Sequence, residues 1–363
     1  MCFVDLEKAF DRVPRGVLWG VLREYGVRGP LLRAVRSLYD RSRSLARIAG
    51  SKSDLFPVHV GLRQGCPLSP VLFIIFMDRI SRCSQGPEGF RFGNHRISSL
   101  LFADDVVLLA SSNPDLQHAL GRFAAECEAA GMRISTSKSE AMVLDRRKVA
   151  CPLQVGGETL AQVEEFKYLG VLFTSGGRME REIDRRIGAA AAVMRSLYRS
   201  VVVKKELSRK AKLSIYRSIY VPTLTYGHEL WVMTERTRSR IQAAEMSFLR
   251  RVAGRSLRDR VRSSVTREEL GVEPLLLHIE RNQLRWLGHL FRMPPGRLPR
   301  EVFRACPTGR RPRGRPRTRW RDYVSRLAWE RLGILPEELE EVSGDREVWA
   351  SLLRLLPPRP GPG

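Results

Sequence analysis

Apolar positions along the chain fall into two regimes. Over roughly the first half they come in brief runs of strand length set between helical stretches. Beyond about residue 178 they recur at helical spacing among arginines. CFVDL (2–6) predicts a short buried strand, followed by a helical stretch through EKAFDRV. Amphipathic helices are expected at 15–25 and 30–43, and LARIAG and FPVHVG read as strands bounded by the polar SKSD. LSPVLFIIFMDRISRC predicts a helix buried over much of its circumference, with Ser69 as N-cap and Pro70 in the first turn. SSLLFADDVVLLAS (98–111) predicts strand–turn–strand, with Asp104 and Asp105 at the turn. A helix over about 114–130 ends at Gly131, and MRIST, SEAMVL and FKYLGVLF supply further short strands. Strands and helices mix without strict alternation, which predicts an α+β fold and not a doubly wound parallel sheet.

The change of character places a boundary near 177, at TSGG. The segment 178–292 is expected to be mainly helical and Arg-rich. Residues 293–318, including RMPPGRLPR and CPTGRRPRGRPRTRW, read as an extended linker, because Pro and Gly break both helix and sheet. Helical segments are expected at about 319–333 and 336–355, and PPRPGPG closes a disordered tail over 356–363. No internal repeat is visible.

Composition narrows the partners. With 43% hydrophobic residues among 363, most of the chain can bury a core. Sixty-three Lys and Arg against 39 Asp and Glu leave a formal net charge of +24, which calls for a polyanion, nucleic acid first and an anionic membrane surface second. No apolar run approaches the roughly 18 residues needed to span a bilayer. The cysteines (Cys2, Cys66, Cys83, Cys127, Cys151, Cys306) form no C-x-x-C pair, so neither a zinc site nor a disulfide framework is indicated. MCFVDLEKAF is neither a signal nor a transit peptide, and a reducing, intracellular setting follows. The chain opens almost inside a strand, and the N-terminus is read as a truncation of something larger.

Four motifs carry candidate chemistry. VDLEKAFDRV puts a carboxylate, Asp5, at the end of a strand with Phe10 shortly after. GLRQGCPLSPVLF (61–73) is a Gly-rich turn carrying Gln64 and Gly65 into a buried helix. FADD sets Asp104 and Asp105 between two apolar runs, and GMRISTSKSEAMVL (131–144) holds Lys138. Each has an ordinary reading by itself: acidic turns are common, Gln64 suits any loop, Phe10 suits a core and Lys138 a solvated surface. Their joint occurrence in this order, followed by FKYLGVLF (166–173), resembles the palm of reverse transcriptases, and more specifically the enzyme of non-long-terminal-repeat (LINE-type) retrotransposons. The resemblance covers roughly residues 2–175. A looser likeness extends through TLTYGHELW, LRWLGHLFRM and GRRPRGRPRTRW.

The resemblance implies a right-hand polymerase palm with partial fingers over 1–177, then a helical thumb-like region and a basic C-terminal extension. It implies an RNA-directed DNA polymerase acting on an RNA template, a DNA primer or target and dNTPs. Two Mg²⁺ (or Mn²⁺) ions would be held by Asp5, Asp104 and Asp105, since such ions favour hard oxygen ligands. Phe10 stands where the family has an aromatic gate against the ribose 2′-hydroxyl, and Gln64 and Gly65 where it contacts nucleotide and template. Lys138 is the candidate for neutralising pyrophosphate. Phe166, Tyr168, Leu169 and Gly170 match the primer grip. The finger segment that precedes the first motif in the family is expected to be missing.

Within 310–321, RRPRGRPRTRWR contains no acid. Arg310, Arg311, Arg313, Gly314, Arg315, Pro316 and Arg317 are similar to an AT-hook for a narrow A·T minor groove. They also fit a plain basic linker for phosphate backbones or a nuclear import signal. That run and a DNA target imply nuclear residence. Tyr216, Tyr220 and Tyr226 read as core or as stacking residues, and His278 and His289 as structural. The alternatives to a polymerase are a catalytically inactive nucleic-acid-binding remnant and, more remotely, a ribonuclease H-type nuclease, for which no clustered carboxylate set is visible after 178. Protein partners are not indicated by any motif.

Overall fold

A computed structural model describes residues 1–93, 95–145, 149–305 and 318–359. The chain divides into two compact units, Met1–Phe166 and Lys167–Gly363, a division that falls ahead of the Gly176–Gly177 pair.

In the first unit the strand Cys2–Val4 is the organising element. All three of its residues are buried, and it runs between two antiparallel neighbours, Asp105–Leu108 and Glu140–Ala141. Ser99–Phe102 extends the sheet on one side, and Ala161–Gln162, parallel to Glu140–Ala141, on the other. An uninterrupted apolar strand suits a centre covered on both faces. The helix Ser69–Cys83 packs against both Arg15–Glu24 and Asn113–Ala129. Its Phe73, Phe76 and Ile80 are almost fully enclosed in the core that also takes Cys2 and Val4 from the strand. Ser112 caps Asn113–Ala129 by accepting from the Asp115 amide, and Gly131 ends that turn of chain at φ 77°.

Several expected elements change. Leu68, not Ser69, precedes the helix Ser69–Cys83. The Ser69 hydroxyl is buried and donates to the Arg63 carbonyl at 2.7 Å, so it ties down the preceding loop instead of capping. LARIAG and FPVHVG yield only two-residue, exposed strands that do not pair with each other: Arg43–Ser44 pairs with Phe56–Pro57, and Arg47–Ile48 with Ser51–Lys52. MRIST contributes a single bridge, Ile134 to Leu6. FKYLGVLF is two strands, Glu165–Tyr168 and Val171–Thr174, bracketing a turn in which Leu169 and Gly170 both take positive φ.

Beyond the strand Val171–Thr174, the regular elements of the second unit are helical among its described residues, and the stretch expected as an extended linker over 293–318 contains the helix Leu298–Arg304. Glu180–Leu197, Glu235–Val252, Leu275–Arg292 and Trp320–Leu332 enclose a core in which Trp231, Phe248 and Trp349 are almost completely buried. The stretch expected as one helix over 336–355 is two, Leu339–Gly344 and Arg346–Arg354. Asp345 breaks it by accepting the amides of Glu347 and Val348. Leu356 is buried in this core and Arg359 reaches Glu280 at 2.6 Å, so the segment expected to be a disordered tail starts with ordered contacts. Burying a carboxylate is tolerable only if it is paired, and Glu182, Glu245 and Glu280 each meet arginines.

Candidate active site

Sheet register assembles the acids. Val4 pairs with Val106, so the next position along each strand sets Asp5 beside Asp105. Phe102 pairs with Asp105, which leaves Ala103 and Asp104 as a two-residue turn, with Ala103 at φ 54°. The apolar stretches on either side of FADD are therefore the sheet's own strands, and the acids sit where the hairpin emerges from the core. Asp104 and Asp105 are exposed and Asp5 is half-buried.

The backbone of Asp5 is pinned on both sides. Its amide donates to the Ser139 hydroxyl at 3.1 Å, and its carbonyl accepts from the Ser135 amide. Its Oδ2 is buried and has no hydrogen-bond partner; the Lys138 ammonium stands 3.8 Å away, an ion pair without a hydrogen bond. Though its residue is exposed, the Asp105 carboxyl is pushed above its ordinary range, first by partial loss of solvent around it and then by the charges of Asp104 and Asp5. Three mutually repelling acids and one unsatisfied buried oxygen form a donor set that suits a hard divalent cation. Among the described residues, no three His, Cys, Asp or Glu side chains already converge as a metal-holding group.

Gln64 and Gly65 lie on a loop built against the Asp5 segment. Gly61 and Leu62 donate to the carbonyls of Val13 and Phe10, and Gly61 has φ 82°. A Cβ at Gly61 would meet the Asp11 carbonyl oxygen at 2.6 Å, so only glycine allows this approach. The Gln64 amide then donates to Asp11 at 3.1 Å. Arg15 holds the loop from beneath, donating to the carbonyls of Gly61, Val58 and Tyr39. Gly61→Ala is expected to destabilise the chain by about 2–3 kcal/mol, combining positive-φ strain with overpacking. A thermal melt that matches the parent would contradict this account of the loop.

Phe10 stacks on Phe73 with ring centroids 4.3 Å apart, and is partly buried against the core. Phe166 stacks on Phe3 at 3.7 Å. The turn after Phe166 is held by two arginines that sequence reasoning did not single out and by Tyr226, which is exposed and not core, unlike Tyr216 and Tyr220. Arg185 donates to the Gly170 carbonyl at 2.6 Å, Arg186 donates to the same oxygen, and the Tyr226 hydroxyl donates to the Leu169 carbonyl at 2.9 Å. Glu182, fully buried, orients both arginines and accepts the Leu172 amide at 2.9 Å. Arg15, Ser139 and Asp11 were also missed: each acts by supporting a motif residue from outside its motif. The glutamate–arginine–arginine spacing in EIDRR was the one local signal available. The arginine run from Arg310 through Arg317 lies outside the described residues, as does Cys306.

Comparison with known proteins identifies the family that the first half of the chain matches. Residues 1–173 match the family described as reverse transcriptase (RNA-dependent DNA polymerase). The chain is 30% identical over 195 residues to a Pol polyprotein from the R2 retrotransposable element of Nasonia vitripennis, a match covering 51% of the chain and 19% of that polyprotein. It is 25% identical over 261 residues to the RNA-directed DNA polymerase from the mobile element jockey of Drosophila melanogaster, covering 69% of the chain and 28% of the relative. A putative uncharacterized transposon-derived protein of Caenorhabditis elegans is 26% identical over 278 residues, 73% of the chain and 98% of that protein. The chain thus spans less than a third of either retrotransposon protein.

Proposed function

Residues 1–173 belong to the reverse transcriptase family, in the form found in LINE-type retrotransposons, and from that premise we propose that this chain is an RNA-directed DNA polymerase module. It extends a DNA primer 3′-hydroxyl with dNTPs on an RNA template. The observation that carries the reading is the strand register that sets Asp5 beside Asp105 and Asp104, with the Asp5 Oδ2 unsatisfied. Asp5, Asp104 and Asp105 would hold two divalent ions, Mg²⁺ or Mn²⁺. When bound, such ions lower the pKa of an attacking hydroxyl and stabilise the pyrophosphate leaving group.

The chain's own residues do the positioning. Ser139 and Ser135 fix the Asp5 backbone, and so the position from which its carboxylate projects. Lys138, exposed beside Asp5, supplies a positive charge for the departing phosphates. Gln64 and Gly65, on the loop that Gly61 and Arg15 hold, face nucleotide and template, and Phe10 limits the sugar. The turn at Leu169–Gly170, with Phe166 and Tyr168 before it, holds the primer end. On this reading the first unit is palm with partial fingers and the helices that follow Thr174 act as a thumb. The Arg310–Arg317 run adds salt-dependent affinity for DNA, and the DNA target places the protein in the nucleus. Primer extension on an oligo(dT)–poly(rA) duplex tests the activity. A nucleic-acid-binding remnant without turnover is the second reading, favoured by the net charge of +24; it predicts binding without extension.

Cation binding has its own readout. Asp105 has a raised pKa in the folded chain, so the folded state holds that proton more tightly than the unfolded one. Its contribution to stability is present at low pH and is lost as pH rises through the folded pKa. A cation replaces the proton, so Mn²⁺ is expected to raise the melting temperature near neutral pH and to do less in acid. At a hundred times its dissociation constant the gain is about 2.7 kcal/mol. A shift equal at both pH values would count against binding at these carboxylates.

A further inference from the structure

The second unit contains a cleft of about 770 Å³ that the polymerase reading does not use. It lies between the helices Leu275–Arg292 and Arg346–Arg354. These helices meet closely because Gly288 has no side chain: a Cβ there would lie 2.4 Å from Trp349 Nε1. Trp349 seats itself by donating to the Leu284 carbonyl at 3.0 Å. With that contact fixed, Arg281, Arg285 and Arg292 line the cleft from one helix and Arg346 and Arg354 from the other. Glu229 is the one acid in the lining.

Three of these arginines have partners within the protein: Arg281 forms a bidentate pair with Glu273, Arg292 donates to the Ser343 carbonyl at 2.6 Å, and Arg285 donates to the Asn282 side-chain oxygen at 3.0 Å. Among the described residues, Arg285, Arg346 and Arg354 form no ion pair, and all three are exposed. Burial, and after it the nearby charge of Arg346, press the Arg292 pKa downward. Trp286 and His289 add an aromatic pair to the lining, with ring centroids 5.4 Å apart.

We propose that this cleft is a binding site for single-stranded nucleic acid, with backbone phosphates on Arg285, Arg346 and Arg354 and a base stacked on Trp286. Guanidinium groups flanking an aromatic ring are the chemistry by which single strands are held without sequence preference. The size fits too. A cleft in the range that takes a small organic ligand has room for about two nucleotides. An acidic peptide would use the arginines and leave the aromatic pair without a role. The site belongs wholly to the second unit and does not require turnover at the acid hairpin.

The test uses the full chain and a ten-nucleotide strand carrying 5-iodouridine, crosslinked by light and mapped by mass spectrometry. A crosslink at Trp286 is expected. The double substitution Arg285→Gln with Arg346→Gln should cut that crosslink at least fivefold. It should also flatten the salt dependence of binding by about 1.4 in log–log slope, because two phosphates are left without a guanidinium. Both positions are exposed, so the melting temperature should hold. Asp104→Asn should leave the crosslink intact, which separates this site from failure of the polymerase reading. Absence of a Trp286 crosslink, or its survival in the double variant, overturns the proposal. Equal competition by a duplex or by poly-glutamate overturns it as well, since either would reduce the cleft to a general basic surface.

Discussion

Asp104→Asn is expected to lower primer extension on oligo(dT)–poly(rA) by roughly a thousandfold or more, with duplex binding unchanged. Asparagine keeps the size of the side chain and the two-residue turn, where Asn is as well suited as Asp. What it removes is one of three clustered negative charges at the hairpin tip. Divalent ions supply several kcal/mol of transition-state stabilisation in reactions of this class, and each 1.4 kcal/mol is about tenfold in rate. Loss of a carboxylate that anchors them therefore reads out in turnover and not in affinity for the template. Activity equal to the parent's would sink the assignment of the acid hairpin. If neither protein extends while both bind the duplex, the remnant reading takes its place.

The largest expected effect on stability lies in the second unit. Arg267→Met should destabilise it by about 3–5 kcal/mol, the usual cost of leaving a buried ion without its partner. Glu245 is fully buried, and Arg267 Nη2 donates to it at 2.6 Å. The remaining partners are the Leu275 amide at 3.0 Å and the Tyr216 hydroxyl at 3.3 Å. They are too few to replace a guanidinium. Burial, and after it the same carboxylate, raises the Tyr216 phenol well above its ordinary pKa, so Tyr216 stays a donor at any physiological pH. Adding Glu245→Gln to Arg267→Met should recover most of the loss, because the unpaired charge is then gone. A single variant that melts within 1 kcal/mol of the parent, by thermal or urea unfolding, would contradict a buried pair here.

The acid hairpin was legible in the chain because strand pattern and turn chemistry are local. LLFADDVVLL reads as two strands joined at the acids, and Ser99–Phe102 and Asp105–Leu108 pair so, except that Ala103 and Asp104 make the turn and Asp105 already belongs to the strand. The helix after Pro70 and the helix before Gly131 were equally local, set by apolar spacing and by Pro and Gly punctuation. Short exposed pairings were not legible: Arg43–Ser44 finds Phe56–Pro57 through chain reversal, which no periodicity encodes. Nor was the cap role of Asp345, which resembles any other acid in an acidic helical stretch.

The sequence by itself determined the order of the motifs, the mixed class of the first half, the helical class of the second and the basic charge that asks for a polyanion. These follow from local propensity and from composition. Only the tertiary structure decided which charges face inward. Arg186 and Arg267 stand in the helical, Arg-rich region, where nothing local separates them from their exposed neighbours, yet each is buried on a glutamate. It also decided that Asp5 and Asp105, a hundred residues apart, are neighbours, and that Gly288 lets Trp349 close one end of an arginine-lined cleft. The physical reason is common to all of these. Pairing a buried charge, setting a register and packing a ring against a missing Cβ each depend on atoms distant in the chain, and local sequence carries no information about their meeting.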